Sequence, residues 1–319
     1  MKKLYSQPFM KLLYNFFLIS IIVINCFVNV SCNGKARTEK EQKKNNYNLR
    51  DTLFSNQENV LINEFRAYVD SLDSTDVASA FRATEKFKSI FTGKSKGLCD
   101  SAFVVFLNLT DTLIVKLNDS LDNDTTDYQA FVNDEISTPK VLQFRNTLLK
   151  NGFTLKSSEG IVYIDLSYDY VIRNFSAYVS DPMNVYLSEI QTENKEGFAQ
   201  DAAIVIAPEK HVDRIIWYEN FIKQNPNFVL IENCRNYRKA YFTYLLSGFD
   251  NTPLFSDNDT RALSLYFKIA FDYLLKKYPD SETAMLTQPY YETLKQKEFD
   301  ASHALLKKYQ IKGLIFNLK

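Results

Sequence analysis

The sequence predicts a mainly α-helical protein: a helical bundle, then a short β-hairpin, then a set of helical hairpins. Three observations lead there. Through most of the chain beyond residue 53, apolar residues recur at i, i+3 or i+4 and i+7, the spacing of one helical face. A pair of short apolar runs flanks a glycine-containing turn near residue 160. One helical pattern returns 53 residues later, closed by a proline each time. Composition agrees, since 45% apolar and 24% charged residues with 8 Gly and 8 Pro in 319 residues are globular usage and exclude a collagen-like, low-complexity or wholly disordered chain. The 38 basic and 38 acidic residues balance, so the cationic excess that holds a phosphate backbone is missing and nucleic acid is not an expected partner.

Residues 1–31 read as a leader. Lys2, Lys3 and Lys11, with no acid among them, precede an apolar stretch from Leu12 to Val30, a positive n-region followed by an h-region. Asn15, Ser20, Asn25 and Asn29 interrupt it, each costly at hydrocarbon depth. The stretch is barely long enough for a core of ~30 Å, which favours cleavage over anchoring. It ends Val28-Asn29-Val30-Ser31-Cys32, which resembles the lipobox of bacterial lipoproteins, with Asn29 where Leu is commonest. The resemblance implies that Cys32 becomes the first residue, carries a diacylglyceryl group and usually a third acyl chain, and so anchors the protein to the membrane. Several chains hold durably where one holds marginally. Asn33 rather than Asp follows, and by the same resemblance to Gram-negative lipoproteins this favours the outer over the inner membrane. The alternative is an ordinary signal peptide, or an uncleaved helix, in which Cys32 is incidental. Residues 32–52 have only Tyr47 and Leu49 to bury and read as a flexible tether with an end-to-end distance of roughly 25 Å.

Residues 53–152 form the expected helical bundle. Leu61, Phe65, Tyr68, Val69 and Leu72 make the first stripe; Phe81, Phe87, Ile90 and Phe91 lie in the second, from Val77 to Phe91. Leu98, Ala102, Val105, Phe106, Leu109, Leu113 and Leu117 make the third. Ser137 ahead of Pro139 fits an N-cap and early proline for a fourth helix through Val141, Phe144 and Leu148, closed by Gly152. In residues 153–207 a hairpin comes first, Phe153–Lys156 and Ile161–Asp165 about the turn Ser157-Ser158-Glu159-Gly160. Helical grouping then returns with Tyr170, Phe175, Tyr178, Tyr186, Leu187 and Ile190, with Ser180 and Pro182 as a start signal.

Residues 208–319 contain the internal echo. The segment from Ile216 to Asn227 aligns with that from Ile269 to Asp280, and Pro226 and Pro279 close an apolar stripe in each. Proline lacks an amide hydrogen and restricts its predecessor, so the next helix is free to fold back. The returning stripe is Leu230, Cys234, Tyr237, Tyr241, Tyr244 and Leu245 in the first copy, and Tyr290 in the second matches Tyr237. The segment Phe271–Ala284, an aromatic helix ending Tyr-Pro-Asp-Ser, resembles tetratricopeptide-type helical repeats of bacterial envelope lipoproteins. The likeness covers about a third of the chain. It departs at Pro289, expected to interrupt the second helix of the second copy, and in its spacing, lengthened by the insertion Gly248–Phe255. Any two amphipathic helices with a proline turn give the same pattern, so repeat-like is the reading.

No constellation identifies a reaction. His211 and His303 lie far apart in sequence; Glu209 and Asp213 flank His211 at i−2 and i+2, which puts the imidazole on the opposite side of a helix from both acids, and no metal site is expected. The chain carries no HExxH, phosphate loop, GxSxG or CxxC, and neither a catalytic residue nor a cofactor is expected. An oxidising compartment would permit a bridge between Cys99 and Cys234, but both sit on apolar patterns and two separate buried thiols are the commoner outcome. The acids around Asp119–Asp124 and Asp250, Asp257 and Asp259 lack EF-hand spacing and read as solvated turns. The 20 Tyr and 25 Phe mostly keep helical spacing, so they belong to packing rather than to sugar stacking. One pattern stands out: Asp, then Ser or Thr, then a small, aliphatic or Thr residue occurs seven times between residues 51 and 126. It resembles the O-glycosylation acceptor of some Gram-negative bacteria, which implies glycans on Thr52, Ser71, Ser74 and Thr125; helix capping is the alternative for some of these.

The expected function is that of a membrane-anchored envelope lipoprotein whose helical body is a non-catalytic interaction or scaffold module with a protein partner in the envelope. A glycan- or small-ligand-binding lipoprotein is the second reading, favoured by a deep aromatic pocket. A hydrolase with a carboxylate site comes last, favoured by two acids of disturbed pKa facing one cleft.

Overall fold

The structure is a computed structural model that describes residues 59–318 except 134, 159 and 258–260. It is mainly helical with short antiparallel strand pairs, and it divides into two compact units at Leu187/Ser188. The leader, the tether, Cys32 and Thr52 lie outside the described residues.

The first unit opens with α1, residues 59–70, then α2 (Ala78–Phe91) and α3 (Lys96–Leu121). Its core is aromatic. Phe65 of α1 meets Phe87 and Phe91 of α2 edge-on at 5.8 and 5.6 Å. Phe175 of α6 (Tyr168–Phe175) touches Phe87, Phe103 and Phe106 at 4.9, 5.0 and 4.6 Å. Edge-to-face packing of this kind adds about 0.5–1.5 kcal/mol per pair beyond area burial. Phe81, expected in the second stripe, is instead exposed, because the buried face of α2 runs Ala80, Ala83, Thr84, Phe87, Phe91 and Phe81 stands one residue, about 100°, off it. The expected stripe of α3 is buried except for Leu117, which is half-buried. By length and composition α3 could cross a membrane, but more than half of its most apolar stretch is buried within the protein, the habit of a core helix.

After the single turn α4 (Gln129–Val132) comes α5 (Pro139–Lys150). Its cap is Thr138, not Ser137: with Pro139 as the first helical residue, only the residue before it can reach the amide of Val141, and the Thr138 hydroxyl accepts that N–H at 3.4 Å. Strands β1 (Phe153–Ser158) and β2 (Ile161–Leu166) pair in the register Phe153↔Leu166 to Ser158↔Ile161, so β1 runs two residues further than the sequence pattern implies. The start signal of α7 (Asp181–Glu196) is real: the Ser180 hydroxyl accepts from Met183 N at 3.3 Å.

The second unit contains the rest of α7, then α8 (Pro208–Gln224), α9 (Ile231–Ser247), α10 (Leu265–Lys277), α11 (Glu282–Lys295) and α12 (Phe299–Ile311). Three short strand pairs occupy the connections: β3 and β4 (Ala199–Gln200, Ala203–Ile204), β5 and β6 (Gly248–Phe249, Thr252–Pro253), and β7 and β8 (Phe255–Asp257, Ala262–Leu263). Helix α8 packs on α9 and α10, and α11 on α10 and α12.

The sequence echo is an echo of geometry. Helices α8 and α10 each end two residues before their proline, and their caps, Asn225 (φ −127°, ψ 58°) and Tyr278 (φ −129°, ψ 48°), match. Each cap amide donates at 2.9 Å to the carbonyl four residues back, Phe221 and Leu274, which are themselves equivalent positions. Tyr218 stacks on Tyr237 at 5.5 Å where Phe271 meets Tyr290 at 6.3 Å. Pro289 does not interrupt α11, which runs through it from Glu282 to Lys295. The carbonyl it deprives of a partner belongs to Met285, and both residues lie on the exposed face, where water can serve that oxygen.

Candidate functional site

The second unit buries a polar cluster among α7, α8 and α9. Glu189, Glu193 and Glu196 recur at i, i+4 and i+7 along α7 and so share a face. On α8, Lys210, Arg214 and Tyr218 recur at i, i+4 and i+8 and likewise share a face. Glu193 is buried, and its Oε2 accepts hydroxyl hydrogen bonds from Tyr241 at 2.8 Å and Tyr218 at 3.1 Å. Its Oε1 is buried with no donor among the described residues. Burial pushes the Glu193 pKa up to about 7, against the pull of the Arg214 charge and the two phenols. Arg214, only 3% exposed, gives Nη2 to Glu196 Oε2 at 2.9 Å, and its Nη1 stands 3.5 Å from the Tyr241 hydroxyl. Lys210 pairs with the other oxygen of Glu196.

His211 is fully buried beside this cluster. Its Nε2 lies 2.9 Å from the carbonyl of Tyr241 and its Nδ1 3.3 Å from the Tyr266 hydroxyl, an arrangement complete for a neutral ring with Nε2–H donating and Nδ1 accepting. Burial drives its pKa down to about 4, and the Arg214 charge acts the same way. Glu209 and Asp213 are only half-buried, on the other side of the helix as the spacing implies.

Two further carboxylates join helices. Glu219 of α8 reaches the start of α11, where it accepts from Glu282 N at 2.9 Å, Thr283 N at 3.0 Å and Thr283 Oγ1 at 2.6 Å, with Lys223 at 2.6 Å and Arg238 at 3.4 Å. It thus supplies from a different helix the anion that an N-terminus attracts. Burial would raise its pKa, but Lys223, Thr283 and the two amides overcome that and hold it near about 2. Asp213 accepts from the hydroxyls of Tyr273 at 3.0 Å and Tyr278 at 2.7 Å and from Lys277 at 3.3 Å, binding α8 to the end of α10. In the first unit Asp111 of α3 has its pKa raised to about 7 by burial and by the charge of Asp165, while Asp165 itself pairs with Lys156 at 2.7 Å.

The structure places the expected modification residues at turns. Ser71 and Thr125 are exposed and Ser74 half-buried. Asp73 Oδ1 accepts from Thr75 N at 2.8 Å and Thr75 Oγ1 at 2.7 Å, and Asp124 Oδ1 accepts from Thr126 N at 3.0 Å and Thr126 Oγ1 at 2.7 Å. In both triplets the acid and the third residue close an Asx turn about the middle hydroxyl residue. Thr112, by contrast, lies inside α3 and bonds to Asn108 O at 3.0 Å. Cys99 and Cys234 are free, buried thiols in different units, both pushed up in pKa by burial. Among the described residues no group of three or more His, Cys, Asp or Glu is placed to hold a metal ion. A shallow depression of about 490 Å³ on the first unit is lined by Pro139, Leu142, Gln143, Asn146, Thr147 and Lys150, all on α5, and so is one helix face rather than a cleft.

The Glu193–Arg214–Tyr241 cluster escapes sequence reading because its members are 21 and 27 residues apart and each helix alone looks amphipathic. The one available signal was the trio of acids on α7 facing a basic pair at matching spacing. Compared with protein-family models, with curated proteins and with solved structures, the chain matches none.

Proposed function

We propose that the protein is an acylated envelope lipoprotein, moored through Cys32 to the outer membrane, whose helical body is a non-catalytic interaction or scaffold module for a protein partner. The mooring rests on the apolar leader that ends Val30-Ser31-Cys32 and the polar tether after it. One observation carries the scaffold reading. Three ionised groups of α8 in the second unit join helices: Glu219 ties α8 to α11, Asp213 ties α8 to α10, and Arg214 ties α8 to α7 through Glu196. Such joints stiffen the two equivalent helical pairs into a fixed surface, as stacked tetratricopeptide-like hairpins do. Glycans at Thr52, Ser71, Ser74 and Thr125 belong to the same reading, as surface modification of an exported body.

Cys32→Ala tests the mooring. In cell fractionation the variant should move from the membrane fraction to the soluble one, and a variant that stays with the membrane overturns the anchor. Crosslinking in intact cells should capture a protein partner, whereas capture of a glycan or small ligand favours the binding-protein reading. Intact mass showing only peptide and acyl chains removes the glycans.

A further inference from the structure

The buried acid on α7 has a job that the scaffold reading does not use. We propose that Glu193 is a proton-operated latch, which holds the last turns of α7 against α8 and α9 when protonated and loosens them when ionised. Its geometry is lopsided. Oε2 is served by two phenols from two helices, Tyr218 of α8 and Tyr241 of α9, while Oε1 is buried with no donor among the described residues. A neutral carboxyl tolerates that; a full negative charge does not, because a buried anion needs donors on both oxygens. The nearby cation is already engaged, since Arg214 is paired with Glu196. Ionising Glu193 therefore sets it in competition with Glu196 for one guanidinium.

Titratable and charged groups face Glu193 from each neighbouring helix. From α7 come Glu189, whose own ionisation burial opposes, and Glu196. Helix α8 presents Lys210, His211, Arg214 and Tyr218; α9 presents Cys234, Tyr237 and Tyr241; Tyr266 of α10 reaches His211. His211 is held neutral well below the range in question, so it adds no charge change there. Tyr241 is the coupling residue: its hydroxyl serves Glu193, its carbonyl serves His211, and its ring lies 5.7 Å from the Arg214 guanidinium. Glu193 holds its proton up to about pH 7 in the closed form and only to the ordinary 4.5 once exposed. The opening equilibrium of α7 should then grow about fortyfold between pH 5 and 7 and level off about twofold higher above.

The protein carries its own reporter. Trp217, the single tryptophan, lies 4.9 Å from the Tyr218 ring whose hydroxyl holds Glu193. The test follows Trp217 emission and amide hydrogen exchange of residues 188–196, corrected for intrinsic rates, from pH 5 to 9 in the whole protein. Expected are an emission step centred near pH 7 and a protection loss of about fortyfold between pH 5 and 7. Both should vanish in Glu193→Gln. No step in the wild type, or an unchanged step in Glu193→Gln, overturns the latch. Should Glu193→Gln fail to fold, Tyr241→Phe decides, because losing a donor to the carboxylate must move the step to higher pH, and an unmoved step overturns the proposal.

Discussion

The side-chain amide of Asn118 docks onto the backbone of Ile164 as a strand would: Asn118 Nδ2 donates to Ile164 O at 2.8 Å and Ile164 N donates to Asn118 Oδ1 at 2.8 Å. Ile164 faces Leu155 across the hairpin, and these two backbone groups turn outward from β1. A two-stranded hairpin is marginal alone; Asn118 pins this one to α3 by completing the outer edge of β2.

Replacing Asn118 with Ala leaves both Ile164 groups without that partner in a part-buried place, and each such loss costs about 1–3 kcal/mol. Asn118→Ala should therefore lower stability by about 2–6 kcal/mol, read as a shift of the urea midpoint. Asn118→Asp keeps the acceptor and loses the donor, so it should fall between. A change under about 0.5 kcal/mol in Asn118→Ala would mean the clip is ornamental.

Glu219 gives the protein an acid-sensitive joint. Its folded pKa lies near about 2, below the ordinary 4.5, so the ionised form is favoured by folding. The contribution is fully present above pH 4.5 and is lost as pH falls from there toward 2. Glu219→Gln should cost about 3 kcal/mol at pH 7, and the gap between variant and wild type in thermal unfolding should narrow by that amount on going to pH 2. A gap that does not change with pH would show that the amides at Glu282 and Thr283 do not depend on the charge.

Both joints bear on what was legible in the sequence. Helix α3 was visible because its stripe from Leu98 to Leu113 repeats at 3.6 residues, and the paired helices were visible because Pro226 and Pro279 stop helices in a way that needs no neighbour. Phe81 and Pro289 depart from the local rule because that rule is silent on which face the neighbours cover. One sits just off the buried face, and the other sits where solvent can replace the lost hydrogen bond. Asn118, Glu193 and Glu219 carry no local signal. Their partners lie 46, 48 and 64 residues away, and nothing in a polar residue on an amphipathic helix says which distant backbone or side chain it will meet.

Gly248 combines a glycine-only backbone conformation with a crowded Cβ position. It ends α9 with φ +74°, and a Cβ added there would stand 2.6 Å from Leu254 N and 2.9 Å from Thr252 O, backbone atoms in and just after β6 that cannot swing aside. Gly313, after α12, has nearly the same φ of +71° with nothing within 4 Å of its would-be Cβ. Gly313→Ala should therefore cost only the left-handed strain of an L-residue, about 1–2 kcal/mol. Gly248→Ala adds the displacement of a strand pair and should cost about 3 kcal/mol or more. Measured side by side by chemical unfolding, the difference between the two variants reports the clash together with the added strain of Gly248's ψ of −172°, a backbone combination essentially reserved for glycine. Equal losses would mean that the β5–β6 turn yields freely, so that the Gly248–Phe255 insertion could change shape without disturbing the helical pairs around it.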